Sequence, residues 1–403
     1  MVTIPLQEPV YKGATGSVFF AAGFRPFFLF SGLQALVMLP VWLLVFTGFL
    51  VAPDHWNPVV WHAHAMVFGF ATAAVGGFLL TAAPSWTNTR TLSGRPLAAL
   101  FVLWLAGRIA VALAGSLPAA LVALFDLGYL PALALALAGP LIKAGMGRNI
   151  AFLPILTLLW LAQICTHVEA LGGMPVGLRG VYLGIFILLL MIVIVGGRII
   201  PSFTQNWLKM QGRPVEMVTI GWIEKGGAVG SIAAAALAQV LAPSSAAAGF
   251  LALVAALVHF VRLSCWHGLA VLANPLLGIL HLGYFWLVAG LALLGLSAFA
   301  PALPASAALH ALTAGCVGTM VIAVMSRAGL GHAGRPLVAA PMTVASYVLI
   351  SIGAMLRVIA PVVAGAMVPL TLAGGLLWAA GWAAFVVVYA PILTRPRADG
   401  RPG

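Results

Sequence analysis

Acidic residues are scarce in this chain. Seven Asp and Glu stand against nineteen Lys and Arg in 403 residues, and charged residues make up only 6% of the total. Soluble domains carry about 25% charged residues, so this chain cannot cover a water-facing surface. The seven acids, Glu8, Asp54, Asp126, Glu169, Glu216, Glu224 and Asp399, are dispersed. That excludes the carboxylate-rich sites that hold magnesium or calcium. Three cysteines, Cys165, Cys265 and Cys316, are too few and too scattered for a disulfide framework or an iron–sulfur cluster. They read as buried thiols. Strand-type alternation is lacking as well. The first 24 residues show no order of basic, apolar and cleavage regions, so no cleaved signal is expected.

What the chain has is apolar length. Hydrophobic residues make up 63%, and the mean hydropathy is +1.14. Runs of about twenty apolar residues, punctuated by Pro, Gly and charge, predict an all-α polytopic membrane bundle forming one integral membrane domain. Twelve transmembrane spans are expected, near 26–50, 60–84, 97–115, 118–143, 150–171, 180–201, 218–241, 246–263, 276–298, 306–326, 338–360 and 366–393. The positive-inside rule orients them with both termini cytoplasmic. Fifteen of the nineteen Lys and Arg, from Lys12 to Arg401, then fall on the inner side, Arg179 and Arg357 on the outer, and Arg108 and Lys225 within spans. The net charge of +12 thus reflects orientation and contact with the lipid bilayer, not nucleic-acid binding.

Three predicted inner loops share a Gly-Arg-Pro signal, "SGRPLAAL", "QGRPVEMV" and "AGRPLVAA", whose glycines Gly94, Gly212 and Gly334 are 118 and 122 residues apart. The first two loops also share "PSWTN" and "PSFTQN". The spacing suggests three repeats of a four-helix unit, over 25–147, 148–273 and 274–393. Loop punctuation alone would also place Gly and Pro there.

Polar side chains within spans are expensive and face a bundle interior or a cofactor. By span, His62, His64, His167 and His310 form a layer one turn inside the outer surface, and His259 and His281 one near the inner surface. The layers are roughly 15 Å apart at 1.5 Å per residue. His55, His267 and His332 fall in loops. His62 and His64 differ by about 200° around a helix, so their rings point to opposite sides and serve different neighbours. Trp61 is expected to anchor that span at the interface. Hydrogen bonding to a carbonyl would satisfy a single histidine equally well. As ligands, imidazoles in an apolar, Gly-rich bundle suit haem iron or copper. Gly69, Gly76 and Gly77 would admit a flat macrocycle or a neighbouring helix. The metal-ligating candidates are His62, His64, His310, His281 and His167, with His259 as a weaker partner of His281. Arg25, Arg198 and Arg327 lie at inner span ends, where they would pair with haem propionates or mark topology. Asp126, Glu169 and Glu224 are the candidate proton relays, with Glu224 and Lys225 as an adjacent charge pair.

"GFRPFF", "WHAHAMVFGF", "GGRIIPSFTQNW", "LHLGYFW", "ALHALTAGCVGTM" and "SRAGLGHAGRPL", between residues 23 and 337, together resemble the NnrS family. The resemblance implies a twelve-helix inner-membrane protein of bacteria, containing haem b (one or two) and copper, that works in nitric oxide metabolism, nitrosative stress or denitrification. It departs from the family at Ala65, where the family motif carries Glu. The leading expectation is reduction of nitric oxide to nitrous oxide, with electrons from a quinol or a cytochrome. The alternative is a non-catalytic protein that binds nitric oxide through haem or copper, or serves metal homeostasis. A transporter finds little support, since few charges lie at mid-depth beyond Arg108.

Overall fold

The computed structural model describes residues 17–401. Lys12 and the N-terminal end of the topology lie outside these residues. Among the described residues there is no strand, and eleven of twelve helices are long and apolar enough to cross a membrane. The helices are α1 (Phe24–Phe46), α2 (Pro58–Thr87), α3 (Arg95–Ala112), α4 (Ala119–Lys143), α5 (Gly147–Ala170), α6 (Gly177–Met210), α7 (Ile223–Gly227, continuing as Ala228–Leu241), α8 (Ala246–Ser264), α9 (Pro275–Ser297), α10 (Ala305–His332), α11 (Pro341–Ile359) and α12 (Met367–Thr394). The regular part of α7 is short, 14 residues over Ala228–Leu241, because the turn before it is broken by a non-helical backbone at Gly226. The chain is a multi-pass membrane protein.

Local chemistry sets several helix starts. Asn57 accepts from the amides of Val59 and Val60, and Pro58 occupies the first turn of α2, where no amide partner is needed. Asn274 with Pro275 repeats this at α9, and Ser245 caps α8 through Ala248. The glycines of the three Gly-Arg-Pro loops all adopt positive φ, at 61°, 70° and 68° for Gly94, Gly212 and Gly334. A side chain would be strained there.

α2 and α10 are the most enclosed spans, with 72% and 67% of their most apolar windows buried. Each switches from α to π winding directly after a histidine, over Ala65–Ala71 after His64 and over Ala311–Val317 after His310. Such turns recur at functional positions. The small residues of α2 serve helix packing. A Cβ on Gly77 would stand 2.8 Å from the Phe28 ring, and Gly76 faces the Tyr129 hydroxyl. α11 and α12 meet backbone to backbone at Gly353 and Gly374.

Several local expectations are corrected. "PSFTQNW" is not loop: α6 runs on to Met210, and Pro84–Thr87 likewise closes α2. His332 ends α10 instead of lying in a loop. Trp61 is 3% exposed and donates its indole N–H to the Val111 carbonyl at 3.1 Å, so it anchors α2 to α3 and not to the interface.

Candidate functional site

Three groupings collect the polar side chains. The first is a cavity of about 170 Å³ walled by Leu, Val, Phe70 and Trp378. His62 and Met66, one turn apart on α2, line it together with His310 of α10 and Arg357 of α11. His62 stacks on Trp42 of α1 at 4.4 Å with an interplanar angle of 13°. His310 Nδ1 donates to the Ser306 carbonyl at 2.7 Å. A carbonyl can only accept, so this bond fixes the neutral tautomer and leaves the Nε2 lone pair available. Two imidazoles and a thioether form a donor set that suits copper. The volume lies below the roughly 300–1,000 Å³ of pockets for larger ligands. A metal ion and a diatomic match it better than a macrocycle does.

The second grouping lies on the other side of α2. His64 Nε2 and His167 Nε2 approach the Asp126 carboxylate oxygen Oδ2 at 2.8 and 2.7 Å. Gln163 donates to the same oxygen at 2.7 Å, and the Arg108 guanidinium pairs with Oδ1. Residues from α2, α3, α4 and α5 thus converge on one carboxylate, and all five are at most 7% exposed. The Thr166 hydroxyl spends its hydrogen on the Gln163 carbonyl at 2.6 Å, so His64 Nδ1, 2.9 Å away, is the donor of that pair. The His64 Nε2 lone pair therefore faces a carboxylate oxygen, a contact that a shared proton or a metal ion would make favourable. His64, His167 and Asp126 offer three ligand atoms within 4.8 Å of one another.

The third is a cavity of about 380 Å³ at the other end of α10, lined by Phe24, Trp86, Phe203, Arg198, Arg327 and His332, among others. The Arg327 guanidinium lies 4.2 Å over the Phe203 ring. Arg198 donates to Asn149 Oδ1 at 3.2 Å. Arg397 also lines the cavity and holds Asp399 bidentately at 2.9 and 2.6 Å. These hydrogen bonds keep the Asp399 carboxyl well below the usual carboxylate range. Among the described residues, no acidic side chain lines the cavity itself.

The structure distributes the remaining sequence candidates elsewhere. Arg25 donates to the carbonyls of Leu393 and Arg395, tying α1 to the end of α12. His281 Nε2 meets the Thr204 hydroxyl at 2.9 Å, while His259 Nδ1 meets the Tyr284 hydroxyl at 2.8 Å. These two imidazoles thus have separate partners. Glu169 caps α6 by accepting from the Gly177 amide at 2.8 Å. Glu224 pairs with Arg262 and not with Lys225, bidentately at 2.7 and 2.6 Å, and Arg262 also donates to Tyr284. Sequence reasoning missed the partners of Asp126, namely Arg108 and Gln163. It also missed Arg357, which reads only as a topological charge, and His332. The helical phase of "SRAGLGH", which continues α10, was the available signal for His332.

A family model described as NnrS protein matches residues 18–397 of the chain. No curated protein matches it.

Proposed function

The chain belongs to the NnrS family of nitric-oxide-related membrane proteins, and from that premise we propose that it binds nitric oxide in the cavity between His62 and His310 and reduces it to nitrous oxide. One observation carries this reading: two imidazoles from the two most enclosed helices line one apolar cavity, and one of them is locked with its Nε2 lone pair available. Nitric oxide is small, neutral and apolar, so the bilayer itself delivers it to such a space.

The balanced reaction joins two NO with two electrons and two protons, giving N2O and water. One N–N bond forms and one N–O bond breaks. Copper bound at His62, His310 and Met66 would supply a redox-active centre with affinity for NO. Ser306 orients His310 through its carbonyl, and Trp42 fixes the plane of His62. Aliphatic walls exclude water, which strengthens every electrostatic contact inside.

The 380 Å³ cavity fits haem b. Phe24, Trp86 and Phe203 offer flat apolar walls, Arg198 and Arg327 would hold the two propionates, and His332 brings an imidazole to the same space. Along α10, His310 and Arg327 are about 25 Å apart at 1.5 Å per residue, so the two cavities are separate sites. Electrons would come from a quinol or a cytochrome, with the bacterial inner membrane as the setting and both termini cytoplasmic.

The test is steady-state NO consumption by the purified protein with an artificial electron donor, with N2O measured as product. His62→Ala and His310→Ala should each abolish turnover in folded protein. NO binding without N2O formation would assign the chain a binding role instead.

A further inference from the structure

Arg357 and Thr371 have nothing to do in a site for a neutral gas. Arg357, near the end of α11, lines the His62–His310 cavity, and its Nη1 is buried without a hydrogen-bond partner. Among the described residues Arg357 forms no ion pair, and no acidic residue lines the cavity. Thr371 of α12 lines the same cavity. It is 2% exposed, and its hydroxyl also lacks a partner.

Arg357 is half-buried, but its enclosed Nη1 sits among apolar helices, where a cation is costly unless an opposite charge meets it. The neighbouring imidazoles cannot compensate, because they are neutral or positive. Two donors without partners, one of them charged, border a space of about 170 Å³, which has room for a small anion beside a metal ion. We propose that this cavity binds a small monoanion with two acceptor atoms, of the nitrite class. The guanidinium of Arg357 supplies the charge and the hydroxyl of Thr371 the second hydrogen bond. Only binding is involved, and no bond is made or broken. The inference rests on the cavity and its donors, and stands whether or not NO is reduced there.

Nitrite titrated calorimetrically into the purified full-length protein tests it. Wild type should bind one equivalent saturably. Arg357→Met should weaken binding about tenfold or more and Thr371→Val about three- to tenfold, with Arg357→Lys in between. Arg179→Met, at an exposed arginine, should leave the affinity unchanged. If Arg357→Met does not fold, Arg357→Lys and Thr371→Val carry the test. Absence of saturable binding to folded wild type overturns the inference. So does unchanged affinity in the Arg357 and Thr371 variants, which would leave the imidazole-bound metal as the anion's only holder. NO consumption measured on the same samples separates the two readings. Nitrite binding with no NO turnover counts against the reductase alone, and NO turnover with no nitrite binding counts against the anion site alone.

Discussion

Arg108 of α3 and Asp126 of α4 form an ion pair inside the bundle, with side chains 5% and 0% exposed. Neither is found near the other by sequence pattern, since eighteen positions and a loop separate them. Breaking such a pair leaves a buried charge uncompensated, which costs about 3–5 kcal/mol, whereas removing both partners costs less. Asp126→Ala should therefore lower the melting temperature in detergent more than the double replacement of Arg108 and Asp126 by Leu and Ala. A double variant at least as unstable as the single one would show that the carboxylate matters chiefly to His64 and His167.

The close approach of α11 and α12 gives a second prediction. A Cβ on Gly353 would stand 2.6 Å from the Gly374 carbonyl and 2.8 Å from the Trp378 amide nitrogen. Backbone atoms cannot step aside as a flexible side chain can. Gly353→Ala should therefore destabilise by about 1–3 kcal/mol, as overpacking does. At Gly139, in α4, a Cβ would meet open space, with no neighbouring atom of the described residues within 4 Å. Gly139→Ala should be neutral or gain up to about 1 kcal/mol from helix propensity. Thermal unfolding of the two variants side by side checks the contrast.

The spans were legible because hydropathy and length act locally. Their predicted bounds fall within a few residues of the helices, apart from α6 and α10, which run past "IIPSF" and "SRAGLGH" into what reads as loop. Opposite faces for His62 and His64 were legible from helical phase alone. Which partners those faces meet was not, because each grouping draws on several helices far apart in sequence. Asp126 gathers residues from three other helices, and the His62 cavity takes Arg357 and Thr371 from two more. Charge counting also misleads. It assigns Arg357 to topology, and it makes Lys225 the nearest cation in sequence to Glu224, yet Arg262 holds that carboxylate across 38 positions.

Orientation makes a third prediction. The loop holding Arg90 and the segment after Thr394 should both face the cytoplasm, and the turn between α9 and α10 the outside. Single cysteines introduced at Thr89, Gly400 and Ala302, in a background lacking Cys165, Cys265 and Cys316, can be probed with an impermeant maleimide on intact cells. Only the Ala302 position should react. Labelling at Thr89 or Gly400 but not at Ala302 would invert the assignment.

The fourth prediction follows from the two sides of α2. His62 shares a cavity with His310, whereas His64 meets Asp126 together with His167. Replacing His310 by Ala should therefore reproduce the lesion of His62→Ala: lost NO turnover and a changed metal signature, with the melting temperature little altered. Replacing His64 or His167 should give a different, shared lesion. Each removes one imidazole from the buried carboxylate and leaves the other imidazole, Gln163 and Arg108 to hold it. The expected result is a loss of about 1–3 kcal/mol of stability, the cost of an unsatisfied buried polar contact. Metal content, NO consumption and melting temperature measured on all four variants decide the matter. If His62→Ala and His64→Ala prove alike in all three, the two faces of α2 do not serve separate centres, and the assignment of the His62 cavity falls with them.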